Sequence, residues 1–503
     1  MTASIIIIGA GMGGMSAGIY GQLNGYETLI FEMHNKPGGQ CASWQRKGYT
    51  FDACIHHFFG CKPGTRVNEM WHELGVLPRN LVKVKECTAV ASPDGKTFLD
   101  YYDLEKLRKA LLDLSPADAK MIEKYIRLIR AFRNKRVDDA LNNSSFWNLL
   151  KALPALLPMQ KWLRMDMKAF STHFSDPFLK KAFALLIYAN PDAPLFFHLM
   201  RHAGGINGDV QWPAGGAYEF AKSIEKRYLD LGGKVHYRSR VDKILVESKK
   251  AVGVKLADGS EYRADIVISN ADGRKTILDM LDGQFINDTV RGYCAPLQDE
   301  TPFAVDVFLG INRDLSAKPS SLVLLLDPPV NIAGHQYESI EAQLYGFDQS
   351  MAPPGRCTIK VELTAGYAYW KKLYQDDKEK YQQEKQNVAE RVVDILDGYL
   401  KGIKNQVEVI DVCTLTTWER YMGGTQGWFN LPNRKIEFAM REDLSDKKFK
   451  STLPKLDDFY FTGVWTTAMG SLAHNALSGK TIIRRICKKD GKKFQGKSEP
   501  ISV

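Results

Sequence analysis

The sequence predicts an α/β fold in which a parallel-sheet unit is joined to an α+β region with an antiparallel sheet and a helical cap. Three observations lead there. Ser4–Ile8 is a short, continuous apolar run rich in β-branched residues, and it is followed at once by Gly9-Ala-Gly11-Met12-Gly13-Gly14. Residues 101–200 are dense in helical periodicity. Strand-like runs recur over residues 303–309, 321–326, 339–345 and 357–363, which suits an antiparallel sheet. At 503 residues the chain exceeds what one hydrophobic core serves, so roughly two to four domains are expected.

The N-terminal run suits a strand buried on both faces of a parallel sheet. Gly9, Gly11 and Gly14 then stand at the three positions of the dinucleotide fingerprint. Gly9 permits the tight turn, Gly11 lets a pyrophosphate approach the backbone, and Gly14 lets helix and strand pack closely. Small and apolar residues through Leu23 continue as a helix whose first amides, beside Met12 and Gly13, would face phosphates. A second strand, Glu27–Phe31, ends in Glu32. That is about twenty residues past the turn, where an acid accepts hydrogen bonds from ribose hydroxyls. Strand, turn, helix and acid together predict a Rossmann-like nucleotide-binding unit.

The next segment contains Gly38-Gly39-Gln40, then Gly48-Tyr-Thr-Phe-Asp52, then Ile55-His56-His57 with Gly60 behind it. This stretch resembles the carotenoid desaturase, carotenoid isomerase and retinol saturase group of FAD oxidoreductases (phytoene desaturase-like), which shares a fold with the amine oxidases. The resemblance implies FAD as cofactor. It places Gly38, Gly39 and Gln40 near the phosphates and the segment after Asp52 beside the isoalloxazine ring. Many desaturases and amine oxidases carry Arg where this chain has Gln40, and desaturases usually have Gly in place of Cys54. The saturase and isomerase branches also lack that Arg, and Ile55-His56-His57 resembles the saturase Ile-His-aromatic stretch, so the resemblance leans toward those branches.

Later segments resemble the same family in the same order. Trp212-Pro-Ala-Gly215-Gly216 opens a helix running to Gly232-Gly233. Alternating runs around Asp258-Gly259 read as a hairpin, and residues 262–270 read as one final strand ending at Asn270. The resemblance implies that this portion completes the FAD domain, with Val241 meeting adenine through its backbone and Asn270 in the cofactor site. A C-terminal strand reaches Gly463, and Gly470 opens a helix through Leu472 and His474. By the same resemblance Gly463, Gly470 and Leu472 cover the ribityl chain and pyrimidine end of the flavin. Amine oxidases usually place an acid after the first of these glycines, where this chain has Val464. The expected organisation is an FAD-binding domain from residues 1–70, 206–275 and 421–487, a helical substrate- or membrane-facing region over 71–205, a substrate domain with antiparallel sheet over 276–420, and a basic tail over 488–503.

The implied function is an FAD-dependent oxidoreductase that saturates, desaturates or isomerises double bonds of a polyene or other apolar lipid. Such chemistry moves a proton beside the hydride, and His56 and His57 are the candidates because His titrates nearest neutrality. Tyr49, Trp212 and His474 are weaker candidates for lining the site. Two other readings stand beside it: a flavin amine oxidase-type enzyme on a smaller substrate, and a non-catalytic prenyl-lipid-binding protein on the same fold, like the Rab escort proteins. The intact fingerprint with Glu32 speaks against the latter. No second glycine fingerprint follows a strand, so a nicotinamide partner would bind only transiently; Gly423-Gly424-Thr-Gln-Gly427 is expected to be a loop near the flavin.

Composition sets the remaining bounds. With 44% hydrophobic and 25% charged residues the chain is an ordinary folded protein. The eight cysteines are scattered without a C-x-x-C pair, which predicts reduced thiols in a cytoplasmic setting, no zinc ribbon and no dithiol motif. No leader, membrane span, metal site or hydrolytic triad is expected. Part of the net charge of +10 gathers in Arg484, Arg485, Lys488, Lys489, Lys492, Lys493 and Lys497. With Lys161, Arg164, Lys168, Lys180 and Lys181 in the helical region, these would suit peripheral contact with anionic lipid. Nucleic acid is not an expected partner, since no recognition motif accompanies the charge.

Overall fold

Ile5, Ile6, Ile7 and Ile8 are each at most 3% exposed, because the strand that carries them has a parallel neighbour on either side. A computed structural model describes residues 3–77, 81–133, 154, 159–294, 302–424, 451–467 and 471–496. In it a five-stranded parallel sheet runs edge to edge through Lys234–His236, Glu27–Phe31, Ser4–Ile8, Ile266–Ser269 and Phe459–Phe461. The sheet therefore collects strands from the beginning, middle and end of the chain. The helices Met12–Leu23 and Leu472–Lys489 pack together beside it. They approach so closely that a Cβ at Gly479 would stand 2.5 Å from the Gly13 carbonyl oxygen. A Cβ at Gly14 would overlap the Gly9 carbonyl oxygen, which explains the small residue where helix meets strand.

Residues 262–270, expected as one strand, form two. Glu261–Arg263 ends a three-stranded antiparallel sheet with Val241–Glu247 and Lys250–Leu256, whereas Ile266–Ser269 enters the parallel sheet. The break falls at Asp265, whose carboxylate accepts hydrogen bonds from the backbone and hydroxyl of Ser4. That acid ties the middle segment to the start of the first strand.

The second sheet has seven strands in the order Val407–Cys413, Pro302–Ile311, Cys357–Gly366, His335–Leu344, Ser321–Ile332, Glu86–Ala91, Thr97–Tyr101. All its pairs are antiparallel except Ser321–Ile332 with Glu86–Ala91, so the sheet is mixed. Its last two strands come from the region expected to be helical. They are joined by the Ser92-Pro-Asp-Gly95 turn, where Gly95 takes a φ of +88° that a residue with a Cβ resists. Lys378–Tyr399 covers one side of this sheet through Val388, Val392 and Leu396. On the other side, the helices Leu104–Leu114, Ala119–Phe132, Pro177–Ala184 and Leu195–Asn207 share a core with Val90, Phe98, Val323 and Leu325.

The apolar residues of these helices mostly point into that core, while Lys161, Arg164, Lys168, Lys180 and Lys181 are exposed. The run 146–158 lies outside the described residues apart from Pro154. The basic end of the chain is docked rather than loose as far as residue 496. Tyr26 Oη donates to Asp490, Lys492 lies 4.0 Å from the centre of the Tyr26 ring, and Gln495 exchanges hydrogen bonds with Asn24. Lys497 lies outside the described residues. No helix among the described residues is long and apolar enough to cross a membrane.

Candidate cofactor and substrate cavity

One cavity of about 2680 Å³ runs from the first glycine turn, past His56 and His57, into the helical region. At its nucleotide end, Gly9, Gly11, Met12, Gly13, Glu32, Gly38, Gly39, Gln40, Val241, Asn270, Gly463 and Leu472 all border it. Gly14 stands behind the turn, in the packing contact already described. Gly470 lies outside the described residues, as do Thr425 and Gly427, while Gly423 and Gly424 border the cavity.

The turn is held by backbone bonds. Gly9 N donates to Phe31 O, Gly38 N donates to Ala10 O, and Gly11 bridges to Gly38. The helix Met12–Leu23 begins at Gly11 with no side-chain cap, leaving its first amides to whatever fills the cavity. The Glu32 carboxylate is buried and accepts from Ala10 N at 2.7 Å and His34 N at 2.8 Å. Burial pushes its pKa up, and these backbone donors oppose the rise. The Asn270 side chain enters between the glycine turns: a Cβ at Gly11 would lie 2.7 Å from its Nδ2, and one at Gly13 2.5 Å from its Oδ1 and 2.8 Å from Gly463 N. Gly463 N itself donates to Ser478 Oγ. A cradle that tolerates no Cβ, an uncapped helix end and a buried acid about twenty residues on fit the adenosine and pyrophosphate of FAD.

Tyr49 and Trp212 do not reach the cavity. Each is fixed in the core by a hydrogen bond to a carboxylate, Tyr49 to Glu408 and Trp212 to Asp348. His474 does border it, with Nδ1 2.7 Å from Ser471 Oγ at the start of the last helix. Val464 also borders the cavity.

His56 and His57 lie side by side on the wall but in different electrostatic settings. His57 Nε2 lies 2.7 Å from Arg201 Nη1. Guanidinium only donates, so Nε2 accepts and the ring's proton sits on Nδ1. Burial, then the Arg201 charge, hold its pKa well below the ordinary histidine value. His56 places Nδ1 3.1 Å from the Cys54 carbonyl, which requires Nδ1–H. Its Nε2 lies 3.6 Å from Glu362 Oε2 and 3.5 Å from Lys360 Nζ. His56 thus turns Nε2 toward Glu362 and Lys360, whereas His57 is held neutral, with Arg201 on Nε2 and the His56 carbonyl accepting from its other nitrogen. The Tyr188 ring packs against both, 5.0 Å from His56 and 6.0 Å from His57. Tyr188 and Ala189 both take positive φ, +51° and +48°, a strained conformation that turns the ring into the cavity.

Around His56 stands an ionic cluster. Glu362 is enclosed by protein yet half open to the cavity, and it pairs with the buried Lys360 at 3.0 Å. Lys360 also lies 3.5 Å from Asp306. Strand register places Asp306, Glu362 and Glu341 next to one another across three strands. Burial opposes ionisation of Glu362, but Lys360 and His56 outweigh it and hold the carboxyl well below the usual range. Burial pushes Asp306 up to about 6, with Lys360 offsetting part of the rise. Farther in, Phe132, Ile187, Phe196, Phe197 and Met200 line the cavity. Arg201, Lys360, Glu362 and Tyr188 are not apparent from sequence patterns.

Comparison with known proteins gives four findings. The family model described as flavin containing amine oxidoreductase matches residues 12–481. A chloroplastic prolycopene isomerase of Daucus carota is 25% identical over 449 residues, covering 84% of this chain and 71% of that one. A lycopene-forming phytoene desaturase of Paracoccus sp. is 30% identical over 288 residues, 55% of this chain and 56% of that one. Among solved structures, an oxidoreductase from Methanosarcina mazei superposes with a TM-score of 0.63 at 18% identity, over 96% of this chain and 100% of the other; that likeness concerns the fold.

Proposed function

The chain belongs to the flavin-containing amine oxidoreductase family, and from that premise we propose that it saturates, desaturates or isomerises carbon–carbon double bonds of a polyene or other apolar lipid. It is an FAD-dependent oxidoreductase of the group that holds amine oxidases and carotenoid desaturases and isomerases. The observation that carries the finer reading is the continuity of the cavity, from a nucleotide-shaped end to one lined by Phe132, Ile187, Phe196, Phe197 and Met200. The names of the prolycopene isomerase and phytoene desaturase relatives support it.

When bound, FAD supplies a hydride acceptor or donor. The chain's own residues supply the rest. The glycine turns, Asn270 and Glu32 hold the nucleotide end, and Val241 and Leu472 border it. His56 Nε2 carries the proton that leaves or joins carbon, with Glu362 beside it. His57, held neutral by burial and by Arg201 on one side, with the His56 carbonyl accepting on the other, is a fixed part of the wall beside His56. The apolar inner wall excludes water. Exposed Lys161, Arg164, Lys168, Lys180 and Lys181 suit a protein that collects its substrate at an anionic lipid surface.

Glu362 favours a second reading, in which an ionised carboxylate on the cavity wall receives a cationic amine. One experiment separates the two. The purified protein is examined by absorption spectroscopy, photoreduced without oxygen, and mixed with retinol, phytoene or an unsaturated fatty acid. Flavin bands that reoxidise as product double bonds change support polyene chemistry. In a parallel sample of oxidised protein, bleaching of the flavin by an alkyl amine supports the amine reading and overturns the first. A colourless protein unable to take up FAD overturns both and leaves lipid binding alone.

A further inference from the structure

Cys41 and Cys54 are separated in sequence but meet across a hairpin. Ser43–Arg46 and Tyr49–Asp52 pair antiparallel with Ser43 opposite Asp52 and Arg46 opposite Tyr49. The connection is Lys47-Gly48, both at positive φ, +48° and +84°, a type I′ turn whose twist matches the strands. Pairing continues past the strand ends, because Ala53 N donates to Ala42 O at 3.0 Å. One step further the register sets residue 41 opposite residue 54. Hydrogen-bonded and non-hydrogen-bonded pairs alternate from the turn, and 41 with 54 falls in the non-bonded class, whose Cα atoms stand about 4.5 Å apart. That spacing lies within the roughly 4.4–6.8 Å range compatible with a disulfide.

The pair sits at the cofactor end of the cavity, and both residues border it. Cys41 is 3% exposed whereas Cys54 is half-buried, so a solute in the cavity meets Cys54 first. The hydrogen bond from Cys54, then burial, push the Cys41 thiol well above its ordinary value. Cys54 is thus the attacking thiol and Cys41 the resolving one. Cys41 is also tied to the cradle: its N donates to Gly38 O, while Gly38 N donates to Ala10 O and Gly38 bridges to Gly11.

We propose that Cys41 and Cys54 form a redox-active dithiol at the rim of the cofactor cavity, oxidised to a disulfide by a low-molecular-weight disulfide such as oxidised glutathione. The Cys54 thiolate attacks one sulfur of that reagent, forming a mixed disulfide and releasing the first thiol. The Cys41 thiolate then attacks the Cys54 sulfur, forming the Cys41–Cys54 bond and releasing the second thiol. Two protein thiols lose two electrons and two protons, and the reagent gains them as two small thiols. The new bond ties the Gly38–Gly39 turn to the hairpin, so FAD leaves the oxidised protein more slowly. The proposal stands whichever substrate the enzyme takes.

The test uses the FAD-loaded protein, reduced, freed of reductant and incubated with oxidised glutathione without oxygen. Peptide mapping after alkylation is expected to show one linked Cys41–Cys54 peptide, lighter by two hydrogens and restored by dithiothreitol, with the other six cysteines alkylated. The Cys41→Ser variant is expected to stop at a glutathione adduct on Cys54, and Cys54→Ser to leave Cys41 alkylated. Flavin fluorescence on dilution is expected to report release several-fold slower for the linked form. Full alkylation of both cysteines in the wild type, or a linked form that releases flavin no more slowly than the reduced one, overturns the proposal.

Discussion

Arg201 donates to His57 Nε2 across 2.7 Å, joining a helix of the substrate region to the segment that follows the hairpin. Its Nη2 donates to Thr88 Oγ1 at 3.1 Å and Leu186 O at 2.7 Å, so the guanidinium is fixed from three directions. A fixed cation against one ring nitrogen sets both the tautomer and the charge of the imidazole. Nitrogen NMR of the wild type is therefore expected to show His57 neutral, protonated at Nδ1, to well below the ordinary histidine pKa. In Arg201→Gln the pKa rises and both tautomers appear, with a loss of about 3 kcal/mol of stability from the orphaned partners. A His57 that titrates normally in the wild type would refute the assignment.

A second buried histidine gives a stability prediction with a definite sign. His198 is fully buried with Nε2 2.5 Å from Tyr125 Oη, and burial lowers its pKa from 6.5 to about 3, with Arg201 and His202 adding to the fall and Asp100 opposing it. Below 6.5 the unfolded chain takes up a proton that the native protein refuses. Its contribution to stability is thus complete above pH 6.5 and declines as pH falls toward 3. Urea unfolding is expected to show wild type losing about 2 kcal/mol more than His198→Gln between neutral pH and about pH 5. Parallel pH profiles would show that His198 protonates as readily folded as unfolded.

The cradle at the nucleotide end makes a third prediction. A Cβ at Gly13 would meet Asn270 Oδ1 at 2.5 Å and Gly463 N at 2.8 Å, two atoms fixed by different strands. Overpacking of this kind costs about 1–3 kcal/mol. Because Gly13 borders the cavity, Gly13→Ala is expected to copurify with less than a tenth of the wild-type flavin while remaining folded by circular dichroism. Gly259→Ala is the control, since it carries comparable strain, with φ at +90°, at a turn where a Cβ meets nothing within 4 Å. Full flavin in Gly13→Ala would show that the cradle yields.

The parts of the molecule that sequence makes legible are those whose cause is local. Four successive isoleucines before a glycine turn can only be a covered strand feeding a tight turn, and Glu32 follows at the distance one helix and one strand require. The same holds for the long runs of the mixed sheet. Ser92-Pro-Asp-Gly95 carried an equally local turn signal for the hairpin in the region read as helical. The site beyond the nucleotide end is different. His57 depends on Arg201, 144 residues away, and His56 on Lys360, 304 residues away. No periodicity encodes such pairings, which arise only when sheet and helices close on each other. Tyr49 and Trp212 show the converse, since aromatic residues near a motif are used here to fill the core. The thiol pair falls between these cases, since it follows from hairpin register rather than from a C-x-x-C spacing.

The ionic cluster beneath His56 gives the last prediction. Lys360 and Asp306 are each 1% exposed, and Lys360 is the cation that both Asp306 and Glu362 face. Lys360→Met removes it at nearly constant volume. Breaking one side of a buried pair costs roughly 3–5 kcal/mol, because the remaining charge stays buried without compensation. The sign of the pH dependence follows from Asp306, whose folded pKa of about 6 exceeds its ordinary 3.8. A raised carboxyl favours folding below its unfolded pKa and loses that contribution as pH rises through the folded one. Without Lys360 the folded pKa climbs further, so the variant's deficit is largest at alkaline pH and shrinks in mild acid. Lys360→Met with Asp306→Asn is expected to recover more than half of the loss at alkaline pH, since no uncompensated Asp306 charge remains. Urea unfolding of wild type and both variants on the two sides of pH 6 measures this, and a deficit independent of pH would assign the loss to packing instead.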